Sequence, residues 1–311
     1  MIIEQEKSSV TTNIAKSSSF KIQASAKAFE ILSSNIYKNK IKAVIREISC
    51  NALDAHTMIG SDAPIEVHLP THLEKWFSVR DFGPGIPEDK MEDIYTTYFY
   101  SDKNDTNDLI GGLGLGTKSP LCLADSFTVT NYRDGYKLVY TCFKNENKEP
   151  QISLLSKTES DEPSGLEVKL FVPSHMIEEF EKNSVDVYRF FEKTPNINNE
   201  DVASKIEERK MIWIENFCVA TDRTVYIVMG NVCYEVPISY DFNVPGKGLY
   251  IKADIGTVNF DPGREYVTLD EKSKDFIKGK ISEFKKVVEK IADEELDAIT
   301  CPFERGRTNL S

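Results

Sequence analysis

Positive charge, histidine and paired cysteine are all scarce in this chain, and each scarcity argues against a class of function. Lysine and arginine number 38 against 50 aspartates and glutamates, for a net charge of −12 over 311 residues. Binding to a nucleic-acid backbone is driven by cations that release its counterions. Generic nucleic-acid binding is therefore not expected, a local basic patch aside. The six cysteines (Cys50, Cys122, Cys142, Cys218, Cys233, Cys301) are scattered and form no CxxC pair. They read as reduced thiols rather than a disulfide frame or a zinc site. Of the four histidines, His56, His68, His72 and His175, only His68 and His72 stand four apart, and Pro70 between them argues against a shared helix face. No apolar run approaches the ~20 residues of a membrane span. The opening MIIEQEKSSV lacks the basic-then-apolar pattern of a signal peptide. A soluble cytoplasmic protein is expected.

What is present is glycine, in one place. Residues 110–120 read IGGLGLGTKSP, with Gly112, Gly114 and Gly116 alternating with Leu113 and Leu115, followed by Thr117 and Lys118. Glycine lets backbone N–H groups approach an anion closely. A helix starting near Lys118 would add free N–H groups and a positive dipole end. The loop suits a di- or triphosphate, and an ordinary glycine-rich turn is the alternative. It is not a P-loop, because the GxxxxGK[ST] spacing is missing.

The clearest helix is 40–58. Ile41, Ile45, Ile48, Ala52 and Ala55 form an apolar stripe at helical spacing. Glu47, Asn51 and Asp54 share one face beside that stripe. Such a trio is either a solvated face or a base-plus-metal set. Mg²⁺ takes oxygen ligands and keeps waters, which suits the Asn51 carboxamide oxygen. Glu47 could orient and deprotonate a water. Two strands, 65–69 and 76–81, lead into DFGPGIP. There Gly83 and Gly85 permit close backbone approach to a flat ring. The acceptor-only Asp81 matches an exocyclic amine such as that of adenine; an ordinary strand-ending turn is the alternative. A short helix is expected over 88–98, then a polar loop, 101–108, placed to act as a lid. Lys103 in that loop either reaches a phosphate or is solvated.

Further strands are expected at 126–132, 136–143, 151–156 and 166–172, then a helix over 173–191 and a polar linker over 192–208. Beyond it come strands 225–229, 232–236 and 249–255, the sharp loop Asp261-Pro262-Gly263-Arg264-Glu265, and a long amphipathic helix over 270–299. The fold class expected is α/β (α+β), in two parts, 1–195 and 200–311, with residues 1–20 as a frayed terminus or an arm.

In this order the motifs resemble those of the GHKL ATPase superfamily: gyrase B subunits, ninety-kilodalton heat-shock chaperones, MutL-type repair proteins and histidine kinases. IREISCNALDAH is similar to that family's N-box, DFGPGI to its adenine box and GGLGLGTKS to its phosphate box. The resemblance implies a Bergerat-type sandwich, a mixed sheet covered by helices, that holds ATP and Mg²⁺. A smaller transducer-like domain would follow. It implies Glu47 as general base, Asn51 as Mg²⁺ ligand and Asp81 as acceptor of the adenine amine. Asp54, Gly83, Gly85 and Ile86 would surround the nucleotide, and the 112–118 segment would wrap its phosphates. One departure is visible: Ser164-Gly165-Leu166 stands where many members have Gly-Thr. VNFDPGREYVTL resembles the chaperones' middle-domain loop, which implies Arg264 as a phosphate-sensing arginine. Most of the chain is also similar to the phage RIIA family of rapid-lysis, membrane-associated factors. That likeness implies a role in the host cytoplasm, peripheral membrane association and a phage or host protein partner. The superfamily's habits imply an ATP-dependent homodimer. A non-hydrolysing ATP switch or scaffold is the alternative, and a DNA topology or repair ATPase is the least favoured.

Overall fold

The computed structural model describes residues 26–31, 35–98, 114–237, 242, 244 and 248–298. The readings on residues 1–20, Lys103, Gly112 and Leu113 lie outside them.

After a short α1 (Ala26–Glu30) comes α2 (Lys40–Met58), which has the bounds its periodicity predicts. Asn39 caps it, its side chain accepting from the Lys42 amide at 3.0 Å. Ile41, Val44, Ile45, Ile48 and Ala52 face the core. The chain then forms β1 (Glu66–His68), β2 (Trp76–Arg80), α3 (Glu88–Thr96), β3 (Ser126–Arg133), β4 (Tyr136–Lys144), β5 (Pro150–Glu159) and β6 (Gly165–Phe171). These are followed by α4 (Ile177–Tyr188), β7 (Asn196–Ile197) and α5 (Glu200–Glu208). The β strands make one seven-stranded sheet in the order β5-β4-β3-β6-β2-β1-β7, antiparallel throughout except for the parallel β1–β7 pair. Helices α2 and α4 pack together, and α2 covers β2 and β6. Phe77 of β2 meets Phe180 of α4 at a ring-centroid distance of 5.2 Å. The result is the mixed sheet under helices that the sequence led us to expect.

Two expectations are corrected. Residues 192–208 are not a linker: they supply β7 and α5. The segment is polar because it is anchored by side-chain hydrogen bonds rather than by apolar bulk. The Asn198 carboxamide pairs with both the N–H and the C=O of Leu69 at 2.7 and 3.1 Å, and Asn199 caps α5 through the Val202 amide. Only Val202 and Ile206 of α5 are buried, one helical turn apart. The helix expected at Lys118 is a 3-10 segment, Gly116–Cys122, with Pro120 inside it. Proline cannot donate to an α-helical ladder.

A second sheet follows: β8 (Phe217–Val219), β9 (Val225–Met229), β10 (Val232–Glu235) and β11 (Leu249–Ala253), in the order β10-β9-β11-β8. Gly230 and Asn231, both at positive φ, turn β9 into β10. The long α6 (Glu271–Ala298) packs on this sheet, with Ile277 and Ile281 buried and Phe284 against Phe217 at 5.4 Å. Among the described residues, no helix is long and apolar enough to cross a membrane.

Candidate nucleotide site

A cavity of about 360 Å³ opens between α2, β2, β6, α3 and the glycine segment. Many of the residues singled out from the sequence meet in it. Glu47 and Asn51 of α2, Asp81, Gly85, Ile86, the Gly114–Thr117 segment and Arg264 all line its wall.

At one end the walls are apolar. Ala52, Ala55, Ile94, Tyr95, Leu166 and Val168 contribute carbon surface suited to a flat ring. Asp81 stands among them, buried, with its Oδ1 accepting from Gly83 N at 2.9 Å and Leu166 N at 3.2 Å. Burial lifts its carboxyl above the usual carboxylate value, and these two amides oppose the shift only in part. The Leu166 backbone pairs with Asp81 while its side chain lines the cavity, so a leucine takes the place where the resemblance implied a threonine hydroxyl.

The turn after Asp81 is held by residues that sequence reading missed. Asn131, fully buried on β3, accepts from Ile86 N at 3.0 Å and donates to Ile86 O at 2.7 Å. One carboxamide thus replaces a strand partner for the turn. Arg133 donates to Pro84 O at 2.8 Å and lines the cavity. His56 Nε2 accepts from Phe82 N at 2.8 Å, so its Nδ1, 3.0 Å from Ala63 O, carries the proton. A polar residue at an inward strand position was the only signal available for Asn131.

The two glycines of the turn have different tasks. Gly85 lines the cavity at φ +66°, where a Cβ would lie 2.8 Å from Asn131 Oδ1. Gly83 does not line it. A Cβ on Gly83 would lie 2.6 Å from Ala55 Cβ and 2.9 Å from Ala55 O, so this glycine lets the turn press against α2. That packing role adds to the expectation that the turn approaches a flat ring.

At the other end the charges gather. Glu47 is buried. Its Oε1 lies 3.0 Å from Arg46 Nη2 and its Oε2 3.0 Å from Arg264 Nη1. Burial alone would raise its pKa, but the Arg264 and Arg46 guanidiniums outweigh burial and hold the carboxyl below the usual range. Gly116 passes so close that a Cβ there would lie 2.9 Å from Glu47 Oε2 and 3.4 Å from Asn51 Nδ2. Only a glycine lets this backbone approach both side chains.

The Arg264 loop reaches α2 from the second sheet. Asp261 organises it, its carboxylate accepting from the amides of Gly263, Glu265 and Tyr266, and Arg264 takes φ +55°. Arg46 donates to Gly263 O at 2.7 Å. Glu265 Oε1 accepts from the amides of Lys38 and Asn39 at 3.1 and 3.0 Å, just before α2 begins. Gly263 itself packs against the Ile36 carbonyl. The Arg264 guanidinium also donates to Tyr234 OH at 3.3 Å.

Two more residues from the sequence reading stand apart from the cavity. Asp54 is buried in α2 and is not among its lining residues. Lys118 is enclosed in the protein: its Nζ donates to Ile94 O at 2.6 Å and Gly114 O at 3.0 Å, and burial pulls its pKa down to about 8. It braces the glycine segment against α3. Among the described residues no cluster of three His, Cys, Asp or Glu side chains could hold a metal unaided. A lone carboxamide ligand such as Asn51 fits a Mg²⁺ ion that takes its other oxygens from phosphate and water.

Comparison with curated proteins returned no match. Residues 37–129 match the profile of the family described as histidine kinase-, DNA gyrase B-, and HSP90-like ATPase. That stretch contains Glu47, Asn51, Asp81 and Gly116, whereas Arg133, Leu166 and Arg264 lie beyond it. The match over 37–129 supports the GHKL ATPase superfamily and an ATP-binding, ATPase-like function for the cavity to which this stretch contributes.

Proposed function

We propose that the chain binds ATP with Mg²⁺ in the 360 Å³ cavity and hydrolyses it slowly, using the nucleotide to change the contact between its two sheets. The observation that carries this reading is the meeting of Glu47, Asn51, Asp81, Gly116 and Arg264 in one cavity. In this proposal Asp81 accepts the adenine amine among the apolar residues, and the Gly114–Thr117 backbone follows the phosphates. Asn51 would hold Mg²⁺, and that ion would supply positive charge against the phosphates. Glu47 orients the attacking water and takes its proton. Arg264 turns from Glu47 to the terminal phosphate, where a guanidinium spreads over the charge that develops. The two guanidiniums on Glu47 make it a weak base until that exchange occurs, which supports slow turnover.

In the same proposal the seven-stranded sheet with its helices forms the ATP module, and the four-stranded sheet with α6 a transducer-like unit. The 101–116 segment closes as a lid, and closure favours a homodimer with residues 1–20 exchanged. The biological setting we propose is that of an RIIA-like phage factor, acting on lysis or host defence through a phage or host protein partner, in the host cytoplasm or at the membrane surface.

A second reading, an ATP-binding switch that does not turn over, is favoured by the same lowered pKa of Glu47. Phosphate release by wild type and E47Q separates the two. Loss of about 100-fold or more in E47Q, with ATP affinity retained, supports hydrolysis with Glu47 as base. Equal, negligible release from both supports the switch. Failure of either protein to bind ATP overturns both.

A further inference from the structure

A second cavity, of about 590 Å³, lies between the last turns of α2, the segments that follow α4 and α5, and the β9–β10 turn. It shares no lining residue with the nucleotide cavity. Four cations line it, Arg189, Lys193, Lys210 and Lys252, against two carboxylates, Asp62 and Glu192. That is a local surplus of positive charge in a chain of net charge −12.

The lysines are already paired, but with acids that stand in solvent. Lys193 meets Asp62 at 2.7 Å, Lys252 meets Glu192 at 3.1 Å and Lys210 meets Glu207 at 3.2 Å. The three carboxylate side chains are 96%, 74% and 55% exposed. Exposed pairs of this kind contribute little, so an anion within the cavity can displace them at small cost. Arg189 adds a buried Nε–H that has no acceptor among the described residues, while its guanidinium lies 4.6 Å over the Phe190 ring and its Nη2 donates to Tyr250 OH at 3.0 Å. A buried donor without a partner is the kind of group a ligand oxygen satisfies. The remaining wall is carbon: Phe190, Met211, Trp213 and Val228 face the same space.

We propose that this cavity is a binding site for a small organic anion, its phosphate, sulfonate or carboxylate held by the four cations and its aromatic or apolar body against Phe190 and Trp213. A pocket with carbon walls and a few convergent polar groups is the usual form of a small-molecule site. The assignment is independent of the nucleotide reading, because the two cavities have separate walls.

The test uses the full chain and anilinonaphthalene sulfonate, a fluorescent aromatic anion. Saturable binding to one site per chain is expected, and excess MgADP should leave it in place. The K193Q/K210Q variant should bind at least roughly tenfold more weakly, since each charge-assisted bond lost contributes on that scale. A control variant, K144Q/K157Q, removes two lysines of the β4–β5 region and should bind as the wild type does. Three results each overturn the proposal: no saturable binding below about 1 mM, the limit of weak specific affinity; displacement by MgADP; or equal affinity in the two double variants. Matching thermal midpoints for all three proteins would show that lost binding is not lost folding.

Discussion

Arg264 Nη1 lies 3.0 Å from Glu47 Oε2, and both side chains are almost completely buried. Removing one member of such a pair leaves an uncompensated charge in a low-dielectric surrounding, which typically costs about 3–5 kcal/mol. R264Q should therefore fall near the lower end of that range, because Arg46 still faces Glu47. Urea unfolding measures it. The double variant E47Q/R264Q should be more stable than the sum of the single losses implies, by 1 kcal/mol or more on the usual scale of coupled neighbours.

The pH dependence of stability has a defined sign. Glu47 has a lower pKa folded than its ordinary value of 4.5. A depressed carboxylate stabilises the fold at pH values above its unfolded pKa, and the contribution is lost as pH falls through the folded pKa. Wild type should therefore lose stability more steeply than E47Q as acid is taken below the ordinary carboxylate range. Above it the difference between the two proteins should be constant. Thermal unfolding of both across that range checks the prediction.

Asp81 has the opposite shift, since burial raises it. In the proposed complex an amine donor favours the ionised carboxylate, so adenine-nucleotide affinity should fall as pH is lowered through this raised value. D81N should bind at least about tenfold more weakly and lack that part of the pH profile. Calorimetric titration with ADP at several pH values would show it.

Glycines 83 and 279 make a matched comparison. G83A places a Cβ 2.6 Å from Ala55 Cβ and should cost about 1–3 kcal/mol through overpacking. Gly279 lies within α6 with nothing among the described residues within 4 Å of a Cβ, so G279A should stabilise by about 0.5–1 kcal/mol. Denaturant midpoints report both signs.

N131A removes both side-chain bonds to Ile86 and leaves that backbone amide and carbonyl part-buried without this partner. A loss of about 2 kcal/mol in stability is expected on the scale of unsatisfied buried groups. A larger proportional loss should appear in ADP affinity than for a variant of a residue remote from the turn, such as K144A. Binding and unfolding measured on the same samples separate the two effects.

The parts of this molecule that repeat with a short period were legible in the sequence. Helix α2 has the bounds its apolar stripe predicts, because five core contacts at helical spacing and an Asn39 cap act together. Gly85 and Gly116 were legible as sites of close approach, since little besides glycine fits such positions. What stayed hidden depends on partners far along the chain. Asn198 braces Leu69 across 129 positions, and so a polar stretch passed for a linker. Asn131 serves a turn 45 positions earlier. The two guanidiniums on Glu47 could not be read either: Arg46 is its neighbour, but the inward direction of both side chains is set by the second sheet.

The separation of that pair along the chain, 217 positions, bears on the order in which the protein is made. A chain emerging from the ribosome presents the whole first sheet long before Arg264 exists, and N-terminal units generally fold first during synthesis. Over that interval Glu47 is balanced by Arg46 alone, and the wall that Pro262 and Arg264 give the cavity has yet to be built. The last third of the molecule thus sets the time at which the part before it acquires its finished pocket.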